Sequence, residues 1–121
     1  MAHLRFETTL TDGIALVTLA GELDLSGAAI LEEELARLAE EDTGTVVIDL
    51  RGLDFMDSSG LRLVVMTDSR VRDAGRRLLL VPGAEPVHRV FEITRMNEKL
   101  TFIDDPADVN HRAGPDRERR P

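Results

Sequence analysis

Cysteine, tyrosine and tryptophan are missing from this 121-residue chain, and lysine occurs once, at Lys99. Without cysteine there is no disulfide framework, no thiolate metal site and no cysteine nucleophile. Without tyrosine or tryptophan there is no aromatic platform on which bases could stack. No apolar run approaches the roughly 18 residues that a membrane span needs. The N-terminal Met1-Ala2-His3-Leu4-Arg5-Phe6-Glu7 lacks the basic and then apolar stretches of a secretory signal. The expectation is a cytoplasmic chain. Positive charge is also scarce: 15 basic residues face 23 acidic ones, a formal net charge of −8. Phosphate backbones and anionic membranes select basic surfaces, so neither is an expected partner.

The apolar fraction of 42% and charged fraction of 31% are those of a globular protein. The length suits one domain, with a core that buries roughly two-thirds of the unfolded surface. Composition divides the chain into a body, residues 1–105, and a tail, residues 106–121. The tail, PADVNHRAGPDRERRP, has no period and little to bury, and is expected to be disordered beyond about Asn110. Its four arginines against Asp108, Asp116 and Glu118 give it +1, which leaves −9 on the body. A basic docking peptide is the alternative role for it.

Within the body, Leu4, Phe6, Thr8 and Leu10 alternate with Arg5, Glu7 and Thr9, the period of a half-buried strand. Asp12-Gly13 then marks a hairpin. Ile14–Ala20 is apolar on both faces and reads as an interior strand, broken by Gly21-Glu22-Leu23-Asp24. Asp24 or Ser26 caps a helix running to about Glu41, with Ala28, Leu31, Leu35 and Leu38 inward. Thr45–Leu50 is a buried strand. Ser58–Ala74 is a helix apolar over most of its girth, including Met66, with Gly75 as its stop. Leu78–Val81 is a strand, Pro86 to about Thr94 a short helix with Val87, Val90 and Phe91 inward, and Leu100–Ile103 a last strand. The order ββαβαβαβ predicts an α/β fold, a mixed sheet covered by helices with right-handed crossovers.

Most catalytic chemistry finds no support. His3, His88 and His111 are far apart, with no second histidine at metal-ligand spacing, and His88 reads as a surface residue. No metal or cofactor is expected. There is no Gly-rich phosphate loop with its lysine. Ser58 and Ser59 do not sit in a Gly-x-Ser-x-Gly elbow. Glu32-Glu33-Glu34 and Glu40-Glu41-Asp42 read as solvated patches.

One segment does carry information: Asp54-Phe55-Met56-Asp57-Ser58-Ser59-Gly60-Leu61, between a buried strand and a buried helix. Phe55 and Met56 bring the chain to the surface, and Asp57 or Ser58 caps the helix. The first-turn N–H groups point outward there, so a phosphate added to a hydroxyl would meet waiting donors. On residue physics alone, a plain N-cap is the more economical reading. Gly60 weighs against it: glycine in a first turn costs up to about 1 kcal/mol relative to alanine, so a close backbone approach or a partner contact is its expected reason.

Phe55-Met56-Asp57-Ser58-Ser59-Gly60-Leu61 resembles the motif of STAS-domain anti-sigma factor antagonists, also called anti-anti-sigma factors. Gly21-Glu22-Leu23-Asp24 is similar to that family's second motif, and Val90-Phe91-Glu92-Ile93-Thr94 to its third helix. The similarity covers roughly residues 4–104. It implies a phosphorylated serine at Ser58, preceded by the acid Asp57 and followed by Ser59 and Gly60, with Asp24 in the bordering loop. It implies an anti-sigma factor partner that is also a serine kinase of the GHKL ATPase type. The unphosphorylated antagonist binds that partner and frees a sigma factor; the phosphorylated one lets go, and a PP2C-type phosphatase resets it. Exposed Arg62 and the Asp24 loop are the expected partner contacts. Arg95-Met96 departs from the family, where glycine and an apolar residue are common. Two other classes stay open: a constitutive STAS scaffold or sensor subunit, whose serine only caps, and a small enzyme with Ser58 as nucleophile, which lacks a positioned base.

Overall fold

A computed structural model describes residues 3–41 and 43–111 of the chain; for Asn110 and His111 this extends to the backbone only. Strand β1 (Arg5–Thr11) turns at Asp12-Gly13 into β2 (Ile14–Leu23). Both turn residues have positive φ, +51° and +77°, the geometry that lets a two-residue turn match the twist of its strands. The hairpin pairs Arg5 with Ala20 and Thr11 with Ile14. Helix α1 (Leu25–Leu38), strand β3 (Thr45–Met56), helix α2 (Ser58–Asp73), strand β4 (Arg77–Val81) and helix α3 (Glu85–Ile93) follow. Sheet order is β1-β2-β3-β4, with β1 antiparallel to β2 and the other pairs parallel. The expected mixed α/β sheet covered by helices is what forms.

Alternation along the strands divides the apolar residues between two faces. Ala15, Val17, Leu19, Val46, Ile48, Leu50, Leu78 and Leu80 join Leu31, Leu35, Val64, Val87 and Phe91 from the three helices in the main core. Val47, Leu79 and Val81 face the other way, where Ile103 and Val109 cover them. Val109 lies on a 3-10 turn spanning Pro106–His111 and is 6% exposed. Packing therefore continues past residue 105, where composition marks the end of the body. The disorder expected of the tail concerns residues that lie outside those described.

Several boundaries differ from the sequence reading. Gly21-Glu22-Leu23 does not break β2; a register shift there lets the strand run on to pair Leu23 with Met56. For the same reason β3 extends six residues beyond Leu50. α1 ends at Leu38, short of Glu41. The strand expected at Leu100–Ile103 shrinks to a single parallel bridge, Leu80 with Phe102, flanked by backbone hydrogen bonds of 2.9 and 2.8 Å. It still extends the sheet beside β4. Arg95 takes the left-handed conformation, φ +65°, ψ +17°, right after α3. The backbone thus keeps the geometry that glycine would adopt most readily, despite the arginine.

His88 is not a free surface residue. Its ring packs edge-on to Phe102 at 5.0 Å and tilted to Phe91 at 6.1 Å, and its Nδ1 is buried without a hydrogen-bond partner. The helix-facing apolar residue Phe102 explains this: the last short segment lies against α3 and closes over the imidazole.

Candidate functional site

Paired strand ends place the site. Leu23 and Met56 are register partners at the C-terminal ends of parallel β2 and β3. The residue after each is an aspartate that caps a helix. Asp24 precedes α1 with φ −109° and ψ −168°; Asp57 precedes α2 with φ −107° and ψ −168°. The two helices thus start level, side by side, beyond the C-terminal ends of the two central strands.

The Asp57 carboxylate accepts hydrogen bonds from the amides of Ser59 at 2.9 Å and Gly60 at 3.4 Å. Ser58 is therefore not the cap. It occupies the first helical position, is exposed, and its hydroxyl makes no hydrogen bond among the described residues. Sequence left Asp57 and Ser58 as alternatives; the geometry divides the roles. Asp24 does the same work on α1, accepting from the Gly27 amide at 3.0 Å and the Ser26 hydroxyl at 3.1 Å. The Gly27 amide, then Ser26, hold the Asp24 carboxyl below the usual carboxylate range.

Gly60 is buried where α2 crosses the strand ends. A Cβ there would stand 2.6 Å from Met56 Cγ and 2.8 Å from Leu23 Cγ. A close approach is thus sufficient reason for the glycine. Met56 itself is 4% exposed, while Phe55 is 46% exposed. Only Phe55 of that pair reaches the surface, beside the Ser58 turn.

Arg62 is exposed one turn along α2 and lines a groove between α1 and α2 of about 290 Å³. Ser59, Leu25, Ala29, Glu32 and Met66 line the same groove. Leu25 is 73% exposed and Met66 39% exposed, so the apolar girth of α2 faces this groove at Met66 and not the core. Sequence reading missed this groove. Its residues fall on two helix faces with i, i+3, i+4, i+7 spacing, 25-28-29-32 and 59-62-63-66, but each face mixes apolar with charged or polar side chains, so periodicity alone does not single it out.

Among the described residues there is no group of three or more His, Asp or Glu side chains that could hold a metal ion, and no helix long and apolar enough to cross a membrane. What the arrangement offers is an accessible hydroxyl, two level helix N-termini and a neighbouring groove.

Comparison with known proteins agrees with this architecture. The family model of the STAS domain matches residues 5–109. The chain is 31% identical over 98 residues to the anti-sigma-B factor antagonist of Staphylococcus aureus (strain NCTC 8325 / PS 47), covering 81% of this chain and 91% of that protein. Among solved structures, an anti-sigma factor antagonist from Mycobacterium paratuberculosis superposes with a TM-score of 0.81 at 20% identity, over 89% of this chain and 92% of the other. The anti-sigma factor antagonist SpoIIAA in its unphosphorylated form gives 0.75 at 21% identity, over 95% and 96%. The chain belongs to the STAS domain family.

Proposed function

We propose that this protein is an anti-sigma factor antagonist whose binding is switched by phosphorylation of Ser58. Unphosphorylated, it binds an anti-sigma factor that is also a GHKL-type serine kinase, and a sigma factor is set free. Phosphorylated, it lets the kinase go, and a PP2C-type phosphatase restores it. The protein acts by binding and not as an enzyme.

The observation that carries the reading is the division of labour at residues 57 and 58. Asp57 holds the first-turn amides, so Ser58 is exposed with an uncommitted hydroxyl. That favours a modifiable serine over the constitutive scaffold, in which the serine would be a cap. The names of the relatives support the antagonist role.

The switch needs no refolding. A kinase must reach the hydroxyl it modifies, so the acceptor lies within the docking surface, with Arg62 and the Asp24 loop beside it. A phosphate adds about −1.5 to −2 charges. The α2 N-terminus stabilises a nearby anion by about 0.3–1 kcal/mol, and Asp57 offsets part of that. Burying the phosphate under a partner without a counter-charge costs several kcal/mol. With about 1.4 kcal/mol for each tenfold in affinity, release by a hundredfold or more follows.

The test is incubation with the kinase that co-purifies from the native cell, with ATP, followed by peptide mapping and binding measurements. Phosphate is expected on Ser58, and Ser58→Ala should bind permanently. Ser58→Asp should bind at least a hundredfold more weakly with an unchanged circular dichroism spectrum. Phosphate on Ser59 alone would overturn the site. If Ser58→Asp and the phosphorylated chain bind as tightly as wild type, the scaffold reading replaces this one.

A further inference from the structure

The groove between α1 and α2 carries a charge on each wall, and only one of them, Arg62, stands beside Ser58. Glu32 lines its α1 wall and Arg62 its α2 wall. Both are exposed, and neither has an ion pair or hydrogen bond to its side chain among the described residues, including with each other. On the same helices Glu34 with Arg37 and Asp68 with Arg72 are paired at 2.8 and 2.9 Å, while Glu33, Arg70 and Asp73 also have no ion pair among the described residues; what sets Glu32 and Arg62 apart is that they line opposite walls of one groove. The small Ala29 and the exposed apolar Leu25 and Met66 line the same groove.

The register of the two helices turns this into a spacing. α1 and α2 start level, because Asp24 and Asp57 follow register partners. At about 1.5 Å per residue, Arg62 lies about 7 Å beyond the α2 cap and Glu32 about 12 Å beyond the α1 cap. The two charges are therefore offset along the groove by roughly 5 Å, about one turn of an α-helix.

We propose that the α1–α2 groove receives an amphipathic helix of the anti-sigma factor, bearing an acidic side chain opposite Arg62 and a basic one, one turn further from Ser58, opposite Glu32. The apolar stripe of that helix covers Leu25, Ala29 and Met66, the helix-in-groove mode of recognition. The charge order fixes the helix's direction and register and so discriminates among partners. This rests on the Ser58 reading and deepens it. Ser58 and Arg62 are four residues apart on one helix, acid before base once phosphorylated, the favoured orientation for a pair on one helix. The phosphate then draws Arg62 from the partner's acid as well as repelling that acid.

The experiment uses the full chain and the purified kinase that phosphorylates it. Ala29→Glu, Glu32→Arg and Arg62→Glu should each weaken binding tenfold or more, while Glu33→Arg, outside the groove, stays within twofold. The chain has no cysteine, so Leu25→Cys and Met66→Cys give unique attachment points for a cross-linker. Their products should map to one partner segment at helical spacing. If the three groove variants bind within twofold of wild type while Ser58→Asp does not bind, the groove proposal falls and the Ser58 reading stands. Cross-links scattered over several segments also overturn it. If neither the groove variants nor Ser58→Asp alter binding, both readings fall.

Discussion

The backbone amide of Asp57 donates to the Leu23 carbonyl at 3.3 Å, which ties the start of α2 to the end of β2. The two strand ends and the turn before the exposed serine are thereby tied by the backbone, while each cap is an aspartate carboxylate accepting helix amides. Side-chain changes at the surface should leave this geometry intact, which makes the following outcomes separable.

Asp57→Ala removes an acceptor shared by two first-turn amides. It should destabilise the fold by about 0.5–2 kcal/mol. Ser58→Ala should stay within about 0.5 kcal/mol, as surface substitutions usually do. Urea unfolding of both variants checks the contrast, and equal losses would return the capping role to the serine.

Gly60→Ala gains up to about 1 kcal/mol of helix propensity but forces a methyl into Met56 and Leu23. Overpacking of this kind costs about 1–3 kcal/mol, so a net loss is expected. Unfolding midpoints decide it. A more stable variant would mean that the strand ends give way easily.

Asp24 and Glu34 each contribute to the acid limb of stability. Asp24 is held low by the Gly27 amide and the Ser26 hydroxyl, and Glu34 by Arg37 and then by the Thr8 hydroxyl at 2.6 Å. A carboxyl lowered in the folded state contributes stability fully above its unfolded value, near about 4. That contribution is lost as pH falls through the folded value. Asp24→Asn and Glu34→Gln should therefore flatten the decline in unfolding midpoint below about pH 4, with the carboxyl titrations followed by NMR. A limb as steep as that of wild type would count against both assignments.

Arg95→Gly should stabilise the protein by up to about 1 kcal/mol. A left-handed backbone costs an ordinary L-residue roughly 1–2 kcal/mol, partly offset by the freedom glycine loses on folding and by the exposed Arg95–Glu98 pair at 3.4 Å. A thermal unfolding midpoint that falls on substitution would show that pair to matter more.

How much of this was legible follows from which signals are local. The hairpin, the interior character of β2 and the three helices came from Asp12-Gly13, from continuous apolar runs and from the spacing of Leu31, Leu35 and Leu38. The motif around Ser58 was legible as a strand-to-helix turn. The longer ends of β2 and β3 were not, because Glu22 and Phe55 become strand only by pairing with each other. Val109 is a lone valine in a polar run, with no period to mark it as buried. Met66 belongs to the apolar girth of α2, but the groove beside it depends on how α1 lies against α2. Whether Asp57 or Ser58 caps is a matter of about one residue of register, which the sequence leaves open and the backbone decides.

The parallel run of β2 and β3 gives the molecule two poles. The Asp12-Gly13 turn sits at the start of β2, and Ser58 follows the far end of its neighbour, about 30 Å away for a ten-residue strand. A tether or fluorophore attached at the turn would stand clear of every contact made at the serine end. The protein can thus be fixed to a surface by one pole while a kinase is read at the other.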